Sequence, residues 1–176
     1  MKNIITDYLE KEQVDQVLAA AHLSSQRDYL MLRLLWRTGV RVNELLTITP
    51  RDIESQNNVV NVTKAIGGKQ RRVHLDAETI AMLSDYVSAQ ELPDDRPIFA
   101  LKQRQVRNIV KHYGSFIGKD VHPHTFRHSY AIHCVRNGWD LRGLQQVLGH
   151  SSLNVTAVYL QFNDQDIKEL YDKTPF

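Results

Sequence analysis

The chain has 176 residues, 42% of them hydrophobic and 24% charged, with 22 lysines and arginines against 20 acidic residues. That length suits a single domain, 1–176, with a core of ordinary size. A lone cysteine, Cys134, excludes an internal disulfide or a thiolate zinc knuckle; no apolar run is long enough for a bilayer and no secretory pattern opens the chain, so the expected setting is the cytoplasm.

In chain order, residues 9–23 have helical spacing, with Leu9, Val14, Val17, Leu18 and Ala21 on one side. Residues 27–38 (RDYLMLRLLWRT) are apolar around most of their circumference and predict a central helix stopped by Gly39. Arg41 follows at the start of a short helix, VNELL, and Pro50 breaks the pattern. Residues 58–63 and 71–75 are β-like, and Gly67-Gly68 between them signals a hairpin. Asp76 is a candidate cap for a helix to about Ala89, and Ile98-Phe99 suggests a short third strand. Residues 102–116 return to helical spacing, Pro123 opens the next helix, Asp140 can cap one ending at Leu148, and Ser151 or Ser152 can cap the one carrying Tyr159. Leu141, Leu144, Val147, Leu148 and Val155 are expected in the core, with Trp139 packing, and 164–171 reads as a last short helix. The expected fold class is α+β: mainly α with one small antiparallel β-sheet.

The net charge of +2 does not by itself suggest nucleic acid, but its distribution does. From 101 to 128 the basic residues Lys102, Arg104, Arg107, Lys111, Lys119 and Arg127 are opposed only by Asp120. A local basic surface suffices to meet phosphates. Lys69, Arg71, Arg72, Lys102, Arg104, Arg107 and Lys111 are therefore candidates for contacts with a phosphate backbone, against the plainer reading of solvated faces.

The densest chemistry lies in 121–162. His124 and Arg127 are three apart, so a helix points them the same way. Leu148-Gly149-His150 ends one helical pattern, and Tyr159 follows nine residues later. Arginine and histidines suit a phosphodiester gaining charge in its transition state, and tyrosine can be a covalent nucleophile. Metal binding is the rival, since His124 and His128 are spaced i, i+4 and His122, His133 and His150 are present; however, there is no H-E-x-x-H and no acidic third ligand nearby.

This stretch, H-T-F-R-H-S, then L-G-H-S-S, then Tyr159, resembles the tyrosine recombinases, or phage-type integrases. T-G-V-R-V-N-E-L-L resembles their first arginine box, and the likeness runs from Y-L-E-K-E-Q-V at 8–14 through Tyr159 into the tail. The resemblance implies the DNA breaking-rejoining catalytic-domain fold, with the family's N-terminal core-binding, SAM-like domain absent. It implies Tyr159 as nucleophile, Arg41, Arg127, His124 and His150 on the phosphate, and His128 in structural support. Glu44, one turn after Arg41, can orient a guanidinium. A hairpin lysine would protonate the leaving 5′-oxygen: Lys64 matches by its distance after Arg41, with Lys69 the rival. Packed cations are expected to lower the Tyr159 pKa. The implied activity is metal-independent strand cleavage and rejoining through a 3′-phosphotyrosine, with no cofactor. The implied partners are double-stranded DNA and, on it, further copies in a tetrameric synapse joined through 164–176, in the nucleoid. Two readings stay open beside it: nicking and closing in the manner of type IB topoisomerases, which plasmid relaxation would distinguish, and a non-catalytic DNA-binding modulator, which has no reason to keep the full residue set.

Overall fold

The computed structural model describes residues 7–63 and 70–160, together with positions 168 and 172. Lys64, Lys69, the Gly67-Gly68 turn and all but those two positions of 164–176 lie outside the described residues.

Helix α2 (Gln26–Thr38) is the centre, with Leu30, Met31, Leu32, Leu34 and Leu35 at most 1% exposed. The Ser25 hydroxyl accepts from the Asp28 amide to start it, and Gly39 ends it at φ 59. Glycine is needed there twice over. The left-handed conformation disfavours a side chain, and a Cβ would come within 2.6 Å of Tyr130 and 2.9 Å of Leu148. Around α2 pack α1 (Lys11–Ser24), α4 (Ala77–Ala89) and α6 (Pro123–Arg136). The predicted stripe of α1 is buried through Val14, Val17 and Ala21. Asp76 caps α4, accepting from the Thr79 amide at 2.8 Å. Pro123 occupies the first turn of α6, where its missing N–H has no helical partner to lose.

The sheet has the order β1-β2-β3, all antiparallel: β1 (Ile53–Glu54), β2 (Val59–Val62) and β3 (Arg71–His74). Its register pairs Val60 with Val73 and Val62 with Arg71. Side chains alternate along a strand, so Arg71 shares the inward face with Val60, Val62 and Val73. The third strand is thus Ile53–Glu54, and the expectation for Ile98-Phe99 is corrected. Those two residues are a buried connection, 3% and 1% exposed, held by the Ile98 amide donating to the Ile48 carbonyl at 2.8 Å.

Four further helices complete the site-bearing part. Helix α3 (Val42–Leu45) follows Arg41, and α5 (Gln103–Ser115) lies beside it, the Gln103 amide group donating to the Asn43 side chain. Helix α7 (Leu141–Leu148) is capped by Asp140, which accepts from the Arg142 and Gly143 amides, and ends at left-handed Gly149. Helix α8 (Leu153–Ala157) is capped by Ser152 rather than Ser151 and delivers Tyr159 just past its end. Val155 departs from expectation: it is 49% exposed, on the outer side of α8, whose buried residue is Thr156. Trp139 is 46% exposed and meets Tyr130 edge-on.

Candidate active site

Arg127 lies at the hub. It is buried on α6, and its guanidinium donates to the Gly39 carbonyl at the end of α2 and, at 2.8 Å, to the Leu148 carbonyl at the end of α7. Its Nη2 is also 2.7 Å from His150 Nε2. Two helix ends with unsatisfied carbonyls thus converge on one planar cation, which suits their dipoles. Burial and the neighbouring charge of Arg41 lower the Arg127 pKa to about 10.

His150 bridges this hub to Tyr159. Its Nδ1 lies 2.9 Å from Thr156 Oγ1 on α8, and its ring stacks against Tyr159 with centroids 6.4 Å apart and planes 11° apart. Burial, then Arg127, Arg41 and Arg71, lower its pKa to about 4. The imidazole is therefore neutral at pH 7. With Nε2 accepting from Arg127, the proton sits on Nδ1 and is donated to Thr156.

Tyr159 is 5% exposed, and its hydroxyl lies 3.0 Å from His128 Nδ1. The expected lowering of the phenol pKa is reversed. Burial raises it, and the pull of Arg127 and Arg41 in the other direction does not win. Burial and the charges of His124 and Arg127 lower the His128 pKa, so His128 is a neutral acceptor at pH 7. The residue expected in structural support therefore touches the Tyr159 hydroxyl. His124 is exposed one turn earlier, its ring 6.3 Å from that of His128, and desolvation with Arg127, Arg41 and Arg107 nearby lowers its pKa.

Arg41 sits before α3 with its side chain 38% exposed. Its amide donates to Glu44 Oε2 at 2.8 Å and its Nη1 to Glu44 Oε1 at 3.3 Å. Arg71 departs from its expected place among backbone contacts. Its side chain is 7% exposed and holds Glu44 with both Nη groups, at 2.9 and 2.8 Å. The strand alternation that sends Val73 inward sends Arg71 there too, a signal present in the sequence. Arg72, one residue on, points outward and pairs with Glu54 at 2.7 Å. Lys102, Arg104, Arg107 and Lys111 are exposed on α5 or at its start, with Lys111 3.3 Å from Asp120. Arg107 is near enough to act on His124, so this face borders the site.

Arg41, His124, Arg127, His128, His150 and Tyr159 thus share one neighbourhood. Thr156 and the Gly39 carbonyl join it without having been singled out. Nothing in the spacing of Thr156 marks it, and a backbone carbonyl has no sequence signature. Among the described residues no group of three or more His, Cys, Asp or Glu could hold a metal, and no helix is long and apolar enough to cross a membrane.

The site thus sets a buried arginine, a half-buried histidine and a buried phenol side by side on a mainly helical domain with a three-stranded sheet. Residues 7–166 match the phage integrase family, and the chain belongs to it. A tyrosine recombinase of Pseudothermotoga lettingae is 35% identical over 168 residues, covering 92% of this chain and 58% of that protein. Tyrosine recombinase XerA of Saccharolobus solfataricus is 32% identical over 165 residues, covering 94% of this chain and 55% of that protein. Among solved structures, a XerA recombinase superposes with a TM-score of 0.82 at 29% identity, over 96% of this chain and 64% of that one. The XerH site-specific recombinase bound to its difH substrate in a pre-cleavage complex gives 0.79 at 26% identity, over 96% of this chain and 55% of that one. The fold is that of a tyrosine recombinase catalytic domain, and the chain spans a little over half the length of these two curated relatives.

Proposed function

We propose that this chain is the catalytic part of a site-specific DNA recombinase, cutting and rejoining strands through a covalent 3′-phosphotyrosine at Tyr159. The observation that carries the reading is the constellation Arg127–His150–Tyr159–His128, which joins a buried cation, a neutral imidazole, a phenol and a proton acceptor. The DNA substrate is supported by the XerH complex and by the exposed basic face of α5.

In cleavage, the Tyr159 oxygen forms a bond to phosphorus and the bond from phosphorus to the 5′-oxygen breaks. The phenol proton passes to His128 Nδ1, 3.0 Å away. The leaving 5′-oxygen takes a proton from a lysine, for which Lys64 is preferred to Lys69. Arg41 and Arg127 flank the phosphate, and His124 donates from the rim. An arriving oxygen accepts from Arg127 and, once the imidazole proton stands on Nε2 and Nδ1 accepts from the Thr156 hydroxyl, from His150 as well. Charge that develops on phosphorus is thereby met by fixed donors in a site largely shielded from water. A 5′-hydroxyl from a second strand reverses the steps. The phosphotyrosine conserves the bond energy, so the scheme uses no metal and no nucleotide.

On DNA the active assembly would be a tetramer linked through 164–176, with Ile167, Leu170, Tyr171 and Phe176 as its apolar contacts, working at the nucleoid. The test is a DNA substrate nicked beside the cleavage point, which traps the covalent adduct. Tyr159→Phe should abolish the adduct and leave DNA binding nearly unchanged. An adduct that persists in this variant would show another nucleophile.

A further inference from the structure

Glu44 presents a puzzle of competition. It is buried, its side chain 2% exposed, and it faces two arginines. An ionised carboxylate has two oxygens and about four lone-pair sites. Arg71 takes one site on each oxygen, and the Arg41 amide takes a third at 2.8 Å. What remains for the Arg41 guanidinium is a single 3.3 Å contact. A bidentate fork is the strongest arrangement a carboxylate can accept from an arginine, and Arg71 has it.

Arg71 is built into that position from two further sides. Its Nε donates to the Val147 carbonyl at 2.6 Å, in the last turn of α7. Gly149 lies against it so closely that a Cβ there would be 3.0 Å from Nη1 and 3.2 Å from Cζ. Partners thus meet all three guanidinium nitrogens, and the side chain is only 7% exposed. A phosphate backbone cannot reach it without dismantling this seat.

We infer that Arg71 is a positioning residue: it occupies one site on each oxygen of Glu44 and so limits the Arg41 guanidinium to a single long contact, leaving its other donors available for a phosphate. This rests on the functional reading above only where cleavage is the readout. The carboxylate state agrees with it. Burial pushes the Glu44 pKa up, but hydrogen bonds from Arg71 and the Arg41 amide hold it below the usual range, so Glu44 is ionised and would seize a free guanidinium.

The experiment is a double-variant cycle with Arg71→Met, Glu44→Gln and the pair. Two readouts are followed: adduct formation on the nicked DNA, and the NMR signal of the Arg41 Nε–H during titration with inorganic phosphate. In Arg71→Met, Glu44 should clamp Arg41, weakening its response to phosphate and slowing the adduct, each by about tenfold. Adding Glu44→Gln removes the competing charge and should restore both to within about threefold of the parent. A merely structural Arg71 would instead make the pair no better than the single variant, and that result overturns the inference. So does an unchanged Arg41 response in Arg71→Met. Should Arg71→Met not fold, Arg71→Lys takes its place in the same cycle. Lysine covers one oxygen, so a smaller loss, again rescued by Glu44→Gln, is expected. Parent-like behaviour of Arg71→Lys, or loss of fold in both variants by circular dichroism, counts against the inference. If the parent forms no adduct while its phosphate titration follows the cycle, the functional reading fails and the role of Arg71 stands.

Discussion

At Tyr159, two nearby guanidiniums and the removal of water act in opposite directions, and the removal of water prevails. A phenol below the surface loses more by giving up hydration of its anion than the nearby charges of Arg127 and Arg41 return. On the proposed function, attack by Tyr159 needs a proton acceptor, and the His128 Nδ1 lies in reach at 3.0 Å. Its folded pKa is below 6.5, so it is neutral at pH 7 and becomes charged only under more acidic conditions. The rate of adduct formation should accordingly be level around neutrality and fall only as the pH drops through the lowered pKa of His128, below the ordinary histidine range. His128→Gln keeps a hydrogen-bond partner for the phenol but cannot take its proton. That variant should lose about 10²–10⁴-fold in rate and should lose the acid limb as well. An acid limb that survives in His128→Gln would assign it to another group, with His124 the next candidate.

At the scale of elements, what could be read from the chain was what local chemistry dictates. The stop at Gly39 and the caps at Asp76 and Asp140 stand where turn and cap preferences put them. Ile98-Phe99 misled because a buried connection and a buried strand are equally apolar, and Ile53–Glu54 is too short to show any alternation. Arg71 was legible in principle, since it stands two residues before Val73 on one strand, but its positive charge invited an outward reading. Its partner Glu44 lies 27 positions away, a pairing that only the tertiary fold makes. Helix α5 makes the opposite case, because Arg104 and Arg107 are exposed as expected and border the site. Each phosphate that such a residue neutralises releases counterions from DNA. Replacing both with alanine should therefore reduce the slope of log Kobs against log salt by about 0.9 for each phosphate that is no longer neutralised. Fluorescence anisotropy across a salt series on a duplex would measure this, and an unchanged slope would remove α5 from the DNA-facing surface.

For the molecule as a whole, the same burial that assembles the site ties its stability to pH. His124, His128, His133 and His150 all have folded pKa values below 6.5, His150 at about 4. The unfolded chain therefore binds more protons than the folded one between these values. Stability must then rise with pH across that window. Equivalently, it is fully present above about pH 6.5 and is lost as acid charges histidines beside Arg127, Arg41 and, around His133, Lys11 and Arg37. Glu44 adds a second, lower window. Its folded pKa lies below 4.5, so the stability it contributes disappears only when the pH falls further still. Thermal unfolding should show a midpoint that is flat above neutrality, declines from about pH 6.5 towards 4 and drops again below that. His150→Asn removes the most strongly shifted of the four histidines while keeping a polar side chain beside Arg127, and should make the first decline shallower without touching the second. A midpoint indifferent to pH between 6.5 and 4 would mean that water reaches these rings in the folded state, and the neutral His150 that links Arg127 to Tyr159 would have to be abandoned.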